Sequence, residues 1–285
     1  MICSQVQLQT LCHIAHMAGE EILSVYHQGG GEVWQKDDAS PLTLADLRAD
    51  AVIRRGLEAA FPGMFVLSEE SRSTSAPKGD AFFLVDPLDG TKEFIKRNGE
   101  FTVNIAWVSQ GVPIAGVVYA PALGELFYAA QGLGAWVRTA DGHDEVLQVA
   151  PWTPTQPLRV IGSRSHGGDK LASWLASLDS KYSFVAAGSS LKFCRIAQGK
   201  ADIYPRFGPT SQWDTAAAQC VLVAAGGAVR AMTGKPLCYG LQYPMLNPEF
   251  VAIGDRCIER ALNGMGYGSQ DDECFGRDEG RLARQ

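Results

Sequence analysis

The residues with the clearest chemical meaning are carboxylates set in short, rigid frames. The stretch Leu84-Val85-Asp86-Pro87-Leu88-Asp89-Gly90-Thr91 ends an apolar run in two aspartates three residues apart. Pro87 fixes the backbone dihedral between them, and Gly90 permits a tight turn. Thr91 adds a hydroxyl and suits a helix N-cap. Hard divalent cations take oxygen ligands, so this pair is donor chemistry for Mg2+. Leu67-Ser68-Glu69-Glu70 ends a second apolar run in two glutamates, and Glu69 offers a third carboxylate to the same place. Trp213-Asp214-Thr215-Ala216 supplies another aspartate at a helix start, where a plain cap is the simpler role. The small residues that follow, through Gly226-Gly227, predict a helix packed very closely on a neighbour. In Pro41-Leu42-Thr43-Leu44-Ala45-Asp46, Thr43 reads as a helix cap with Asp46 as its capping-box partner.

Two segments suit an anion. Gly188-Ser189-Ser190-Leu191-Lys192 places hydroxyls and free N–H groups at a helix start. Tyr204-Pro205-Arg206-Phe207-Gly208-Pro209 holds an arginine in a turn-rich frame, and arginine grips phosphate through two donors. The plain alternatives are a cap and a surface arginine. Lys92, Lys96 and Arg97 beside the aspartate loop read as a solvated basic face.

Helices are expected at 5–28 and 43–60 from their apolar spacing. A loop is expected at 71–80. Strands are expected at 65–67, 81–85, 101–108, 112–120 and 125–130, the last two joined as a hairpin through Pro121–Gly124. The Pro-rich run at 150–157 marks an expected boundary between an N-terminal α+β half, 1–150, and a C-terminal α/β half, 151–263. Beyond it, strands at 158–162, 183–186, 201–204, 228–231 and 250–253 alternate with helices at 168–179, 189–199 and 214–226. That alternation predicts a partly parallel layer. Residues 264–285 read as a disordered tail.

Bulk properties bound the answer. The 285 residues are 46% hydrophobic and 20% charged, which allows a substantial core. A net charge of −6 supplies no basic track for a nucleic-acid polymer. The seven cysteines show no C-x-x-C spacing and are expected to be reduced thiols. The first residues have no signal-peptide pattern and no stretch is apolar enough to span a membrane. A cytoplasmic protein, monomer or homodimer, is expected.

Four segments in this order resemble the inositol monophosphatase superfamily of lithium-sensitive Mg2+ phosphatases: Pro41–Asp46, Glu69-Glu70, Asp86–Thr91 and Trp213–Ala217 leading to Gly226-Gly227. The stretches 89–106, 188–194 and 204–210 are most similar to its bacterial 3'(2'),5'-bisphosphate nucleotidase branch. The resemblance covers about residues 5–254. It implies a five-layer α/β/α/β/α sandwich and removal of the 3'-phosphate of adenosine 3',5'-bisphosphate in sulfur metabolism, with inositol or other sugar phosphates as the alternative substrates. A non-enzymatic nucleotide- or metal-binding protein is the alternative of another class, and it would need a missing ligand.

It also implies two or three Mg2+ ions, one held by Glu69, Asp86 and the Leu88 carbonyl, another by Asp86, Asp89 and Asp214. By the same resemblance Glu69 and Thr91 orient water, and Asp46 holds Thr91. Gly90 and Thr91 N–H groups meet phosphate. Gly188, Ser189, Ser190, Lys192 and Arg206 meet the rest of the substrate. Peripheral attachment at the inner membrane face is left open in this family.

Overall fold

Ser4 opens the first helix through a capping box with Gln7, and α1 runs Gln5–His27. The computed structural model describes residues 2–29, 33–35, 41–70, 79–163, 168–178 and 181–263. The residues expected to form the tail, and most of the loop expected at 71–80, lie outside these. A short ribbon, β1 (Val33–Gln35) against β2 (Pro41–Thr43), precedes α2 (Leu44–Ala60). Thr43 and Asp46 form the expected capping box at the start of α2.

A seven-stranded sheet follows: β3 (Phe65–Ser68), β4 (Ala81–Asp89), β5 (Thr102–Ser109), β6 (Val112–Ala120), β7 (Glu125–Ala130), β8 (Gly134–Arg138) and β9 (Asp144–Val146). Their spatial order is their chain order, and only the β3–β4 pair is parallel. Helix α3 (Thr91–Ile95) sits between β4 and β5. A 3-10 turn at Pro121–Leu123 and left-handed Gly124 join β6 to β7, which is the expected hairpin.

The chain enters a second sheet at β10 (Leu158–Gly162), followed by α4 (Gly168–Ser177), β11 (Tyr182–Ala186), α5 (Leu191–Ala197) and β12 (Ile203–Arg206). Helix α6 (Ala216–Ala224), β13 (Ala228–Ala231), β14 (Phe250–Ile253) and α7 (Arg256–Asn263) complete it. The order is β11-β10-β12-β14-β13, with β10 parallel to both neighbours and β14 antiparallel to both of its own.

Three apolar clusters define five layers. Leu8, Ile22 and Ile53 of α1 and α2 pack with Phe83 and Ile105 on one face of the large sheet. On its other face, Val118 and Phe127 join Phe193 of α5 and Val221 of α6, with Tyr204 and Phe250 of the small sheet. Val160, Trp174 and Ile258 cover the far face of the small sheet. The result is the α/β/α/β/α sandwich that the resemblance implied.

The small-residue helix α6 does pack closely. A Cβ on Gly116 of β6 would lie 2.3 Å from the Ala217 carbonyl oxygen, so only glycine fits opposite that turn. One expectation needs correcting. The strand at 81–85 does not stop before Asp86, because Pro87 is absorbed by a register shift between Asp86 and Asp89 against β5. Strands β8 and β9 and helix α7, of five, three and eight residues, are too short to announce themselves. Cys3, Cys12, Cys194 and Cys220 are buried free thiols and Cys257 an exposed one.

Candidate active site

The irregular end of β4 positions the first two carboxylates. The Asp86 side chain is buried at the end of the apolar run, and its Oδ1 accepts the Leu88 N–H at 3.1 Å. That bond closes a small turn over Pro87 and leaves Asp89 facing the same cleft. Gly90 follows with φ +89°, a conformation that a side chain would strain, and turns the chain into α3. Gly90, not Thr91, is thus the cap of α3, and it makes no side-chain cap bond. Thr91 instead is the first helical residue. Its hydroxyl lies 3.4 Å from the Leu88 carbonyl and 3.5 Å from Asp46 Oδ1.

Asp46 is held from the other side. Its Oδ2 accepts the Thr43 N–H at 2.8 Å and the Thr43 hydroxyl at 2.6 Å. The capping box therefore leaves Oδ1 directed at Thr91, so Asp46 serves both roles expected of it.

Asp214 arrives from the opposite half of the molecule. It ends a 3-10 turn, Gln212–Asp214, and accepts the Ser211 N–H at 2.8 Å through Oδ2. It is therefore the closing acid of a capping box and not the cap of α6, a position that Thr215 occupies. Asn247 donates to the Ser211 carbonyl at 2.7 Å and to the Thr215 hydroxyl at 3.0 Å, which fixes this turn. Tyr239 reinforces it, lying 3.2 Å from the Thr215 hydroxyl. Neither Asn247 nor Tyr239 stands near an acidic motif in the chain, so nothing in the sequence pointed to them.

Oxygens of Asp86, Asp89 and Asp214 come within 4.8 Å of one another, the group among the described residues suited to a metal ion. Burial, followed by the charges of Glu69, Asp89 and Asp214, pushes Asp86 well above the ordinary carboxylate range. Burial and then Asp89 push Asp214 up to about 7. Like charges at this spacing disfavour ionisation unless a cation sits among them. The donor set is all oxygen, as Mg2+ prefers, so the site fits the expected cofactor. Glu69 is not one of the three clustered carboxylates. It lies at the end of β3, where its N–H donates to the Val85 carbonyl at 3.1 Å, and its charge reaches Asp86. Leu88 buries its side chain under α1 and α2, which leaves only its carbonyl for the role expected of it.

Beside the acidic cluster lies a cleft of about 110 Å³. Asp89, Gly90, Gly188, Ser189, Lys192, Arg206 and Asp214, all expected at the site, line it. Lys192 is 6% exposed, and burial lowers its pKa to about 8. Its ammonium donates to the Ser189 carbonyl at 2.5 Å and stands 5.3 Å from the Tyr204 ring centre. Arg206 donates to the Gly208 carbonyl at 3.1 Å and the Pro209 carbonyl at 2.7 Å. Ser190 differs from the expectation for it. Its side chain is buried, and Oγ lies 2.8 Å from Asp89 Oδ2 and 2.6 Å from the Asp214 carbonyl, away from the cleft. Arg97 is also not simply solvated, because it donates to the Tyr26 carbonyl at 2.6 Å and lies over the Tyr26 ring.

A fold of five layers with a carboxylate cluster at the end of its large sheet defines a class, and comparison with known proteins agrees. The profile of the Inositol monophosphatase family matches residues 5–257, and the chain belongs to that family. It is 48% identical over 246 residues to the 3'(2'),5'-bisphosphate nucleotidase CysQ of Salmonella typhimurium, covering 85% of this chain and 98% of that protein. It is 47% identical over 251 residues to the CysQ of Escherichia coli K12, with the same coverage. Among solved structures, CysQ from Bacteroides thetaiotaomicron superimposes with a TM-score of 0.75 at 37% identity, covering 88% of this chain and 97% of that one. Among the described residues no helix is long and apolar enough to cross a membrane.

Proposed function

We propose that this protein is a Mg2+-dependent 3'(2'),5'-bisphosphate nucleotidase that releases phosphate from the 3' position of adenosine 3',5'-bisphosphate, leaving AMP. One observation carries the reading: a cleft lined by two members of the three-carboxylate cluster, Asp89 and Asp214, and by two nearly buried cations, Lys192 and Arg206. A substrate with two phosphates needs both. The kinship with nucleotidases at 47–48% identity supports the choice of substrate. A place in sulfur metabolism follows from the same kinship.

Asp86, Asp89 and Asp214, with Glu69 beside them, would hold the ions. Bound there, Mg2+ supplies charge neutralisation of the transferring phosphoryl group and acidifies water at the site. The chain's own groups do the rest. Thr91 Oγ1, 3.5 Å from Asp46 Oδ1, can pass a proton from the attacking water towards the Asp46 carboxylate. The Gly90 and Thr91 N–H groups lie at the start of α3, where they face the charge of a phosphate. Lys192 and Arg206 grip the phosphate that does not react. Positioning and electrostatics of this kind account for most phosphoryl-transfer catalysis.

The test is phosphate release from adenosine 3',5'-bisphosphate and from inositol 1-phosphate in parallel, with Mg2+, with EDTA and with lithium. A preference for the nucleotide that disappears with EDTA is expected. Faster release from inositol 1-phosphate would keep the acidic wall and overturn the substrate.

A further inference from the structure

Ser190 is 1% exposed and Asn104 is 1% exposed, yet both carry polar groups into the space behind the carboxylate cluster. Ser190 Oγ is within 2.8 Å of Asp89 Oδ2, 2.6 Å of the Asp214 carbonyl and 2.9 Å of Asn104 Nδ2. Asn104 Nδ2 also lies 3.4 Å from Asp89 Oδ2, and its Oδ1 is buried without a partner. Two layers of the fold converge on this one hydroxyl. Asp89 and Asn104 come from the large sheet, Ser190 from the loop before α5, and Asp214 from the turn before α6.

A serine hydroxyl has one proton and two acceptor lone pairs. Asn104 Nδ2 donates into the oxygen, which leaves the single proton to be given to Asp89 or to the Asp214 carbonyl. Either way Ser190 and Asn104 set where Asp89 Oδ2 stands relative to the peptide that carries Asp214. A buried polar group held this closely has no freedom to drift, because losing a partner would leave it unsatisfied.

We propose that Ser190 and Asn104 are positioning residues that brace Asp89 against the Asp214 turn, so that the two carboxylates, from opposite halves of the molecule, meet a metal ion at a fixed separation. Their place is behind the metal ligands, not on the substrate. The inference rests on the metal role of Asp89 and Asp214 given under Proposed function. Outer partners of metal ligands commonly change metal affinity by about 10–100-fold when removed.

The experiment is calorimetric titration of Mg2+ into the full-length protein without substrate, for the unaltered chain, Ser190→Ala and Asn104→Ala, together with KM at saturating Mg2+. The expected result is a Mg2+ dissociation constant raised about tenfold or more in each variant, with KM for adenosine 3',5'-bisphosphate within about twofold at saturating Mg2+. The double variant should lose little more than either single one, as members of one network do. Unchanged Mg2+ affinity with a raised KM would make Ser190 a substrate contact and overturn the brace. A lower melting temperature in EDTA with unchanged Mg2+ affinity would reduce both residues to packing and overturn it too. If Ser190→Ala does not fold, Asn104→Ala reaches the same hydroxyl from β5 and decides the matter alone. Failure of the underlying metal reading looks different: Mg2+ would then not bind the unaltered chain, or would bind Asp214→Asn equally well.

Discussion

The two walls of the cleft are built on opposite principles. The acidic wall crowds Asp86, Asp89 and Asp214 until burial and mutual repulsion push two of them towards protonation. Among the described residues no carboxylate pairs with the cations of the basic wall, although the charges of Asp89, Glu93 and Asp214 reach Lys192. Lys192 and Arg206 are satisfied by backbone carbonyls and, for Lys192, by the Tyr204 ring. One wall is unfavourable until a cation joins it, whereas the other is complete beforehand and waits with charge to spare. The difference teaches that metal binding and substrate binding rest mainly on different groups, joined by the charges of Asp89 and Asp214 that reach Lys192. A change on one wall should move one of them far more than the other.

The largest effect should come from the acidic wall. Asp86→Asn removes the charge at the centre of the cluster, and phosphate release at ordinary Mg2+ should fall about 10³-fold, the equivalent of about 4 kcal/mol. The same change relieves the repulsion that holds Asp86 above the carboxylate range, so in EDTA the variant should melt higher than the unaltered chain. Steady-state assays and a thermal melt on the same sample check both halves. Near-normal turnover, or a variant that melts lower in EDTA, would break the contrast between the walls.

The basic wall should respond in KM. Arg206→Leu and Lys192→Met each remove a charged donor worth about 1.5–3 kcal/mol, so KM for the bisphosphate should rise about 10–100-fold. The affinity for Mg2+ should move far less. Inositol 1-phosphate, with a single phosphate, should lose less than the nucleotide does. Equal losses for both substrates would mean that these cations meet the reacting phosphate and not the second one.

Both walls were partly legible in the chain, and unequally. Asp86-Pro87-Leu88-Asp89-Gly90 is a local device: its rigid residues and carboxylates lie within one turn, so the spacing alone describes the chemistry. Lys192 and Arg206 were legible as cations in anion-friendly frames, but not that carbonyls of their own loops would hold them. Ser190 was assigned to the substrate because hydroxyls before a helix suit anions. Its rotamer depends on Asn104 and Asp89, which are 86 and 101 residues away. In the fold, α1, α2 and β5 to β7 were legible because their periodic runs are long. Strand β9 was not, since a three-residue exposed strand carries no alternation to read, and the alternation of Ala135 and Val137 in β8 spans only five residues.

Metal removal sharpens the comparison further. Asp214 is raised in the folded state above its unfolded value, so the metal-free protein should be steadiest in acid and lose stability as pH rises towards about 7. Mg2+ at ten times its dissociation constant should restore about 1.4 kcal/mol. For a chain of this size that is about 3–6 °C in melting temperature. The gain should shrink below pH 7, where protons compete for the same oxygens. Melts with EDTA and with Mg2+ from pH 5 to pH 8 measure it, and a gain independent of pH would separate the ion from Asp214.

The smallest effect lies at the alkaline end and belongs to the other wall. Burial brings Lys192 down to about 8, so the free enzyme loses that positive charge as pH passes 8. If an anion binds only the charged form, KM should rise about fivefold between pH 8 and pH 9, simply from the fraction of ammonium that remains. Extra Mg2+ cannot correct this limb, whereas it should correct the acid limb set by Asp214. Lys192→Arg keeps a charge that does not titrate in this range and should flatten the alkaline limb while leaving the acid limb in place. Profiles of kcat/KM taken at two Mg2+ concentrations separate the limbs. An alkaline limb that moves with Mg2+ would mean that the group titrating there sits among the carboxylates, and that the two walls are coupled after all.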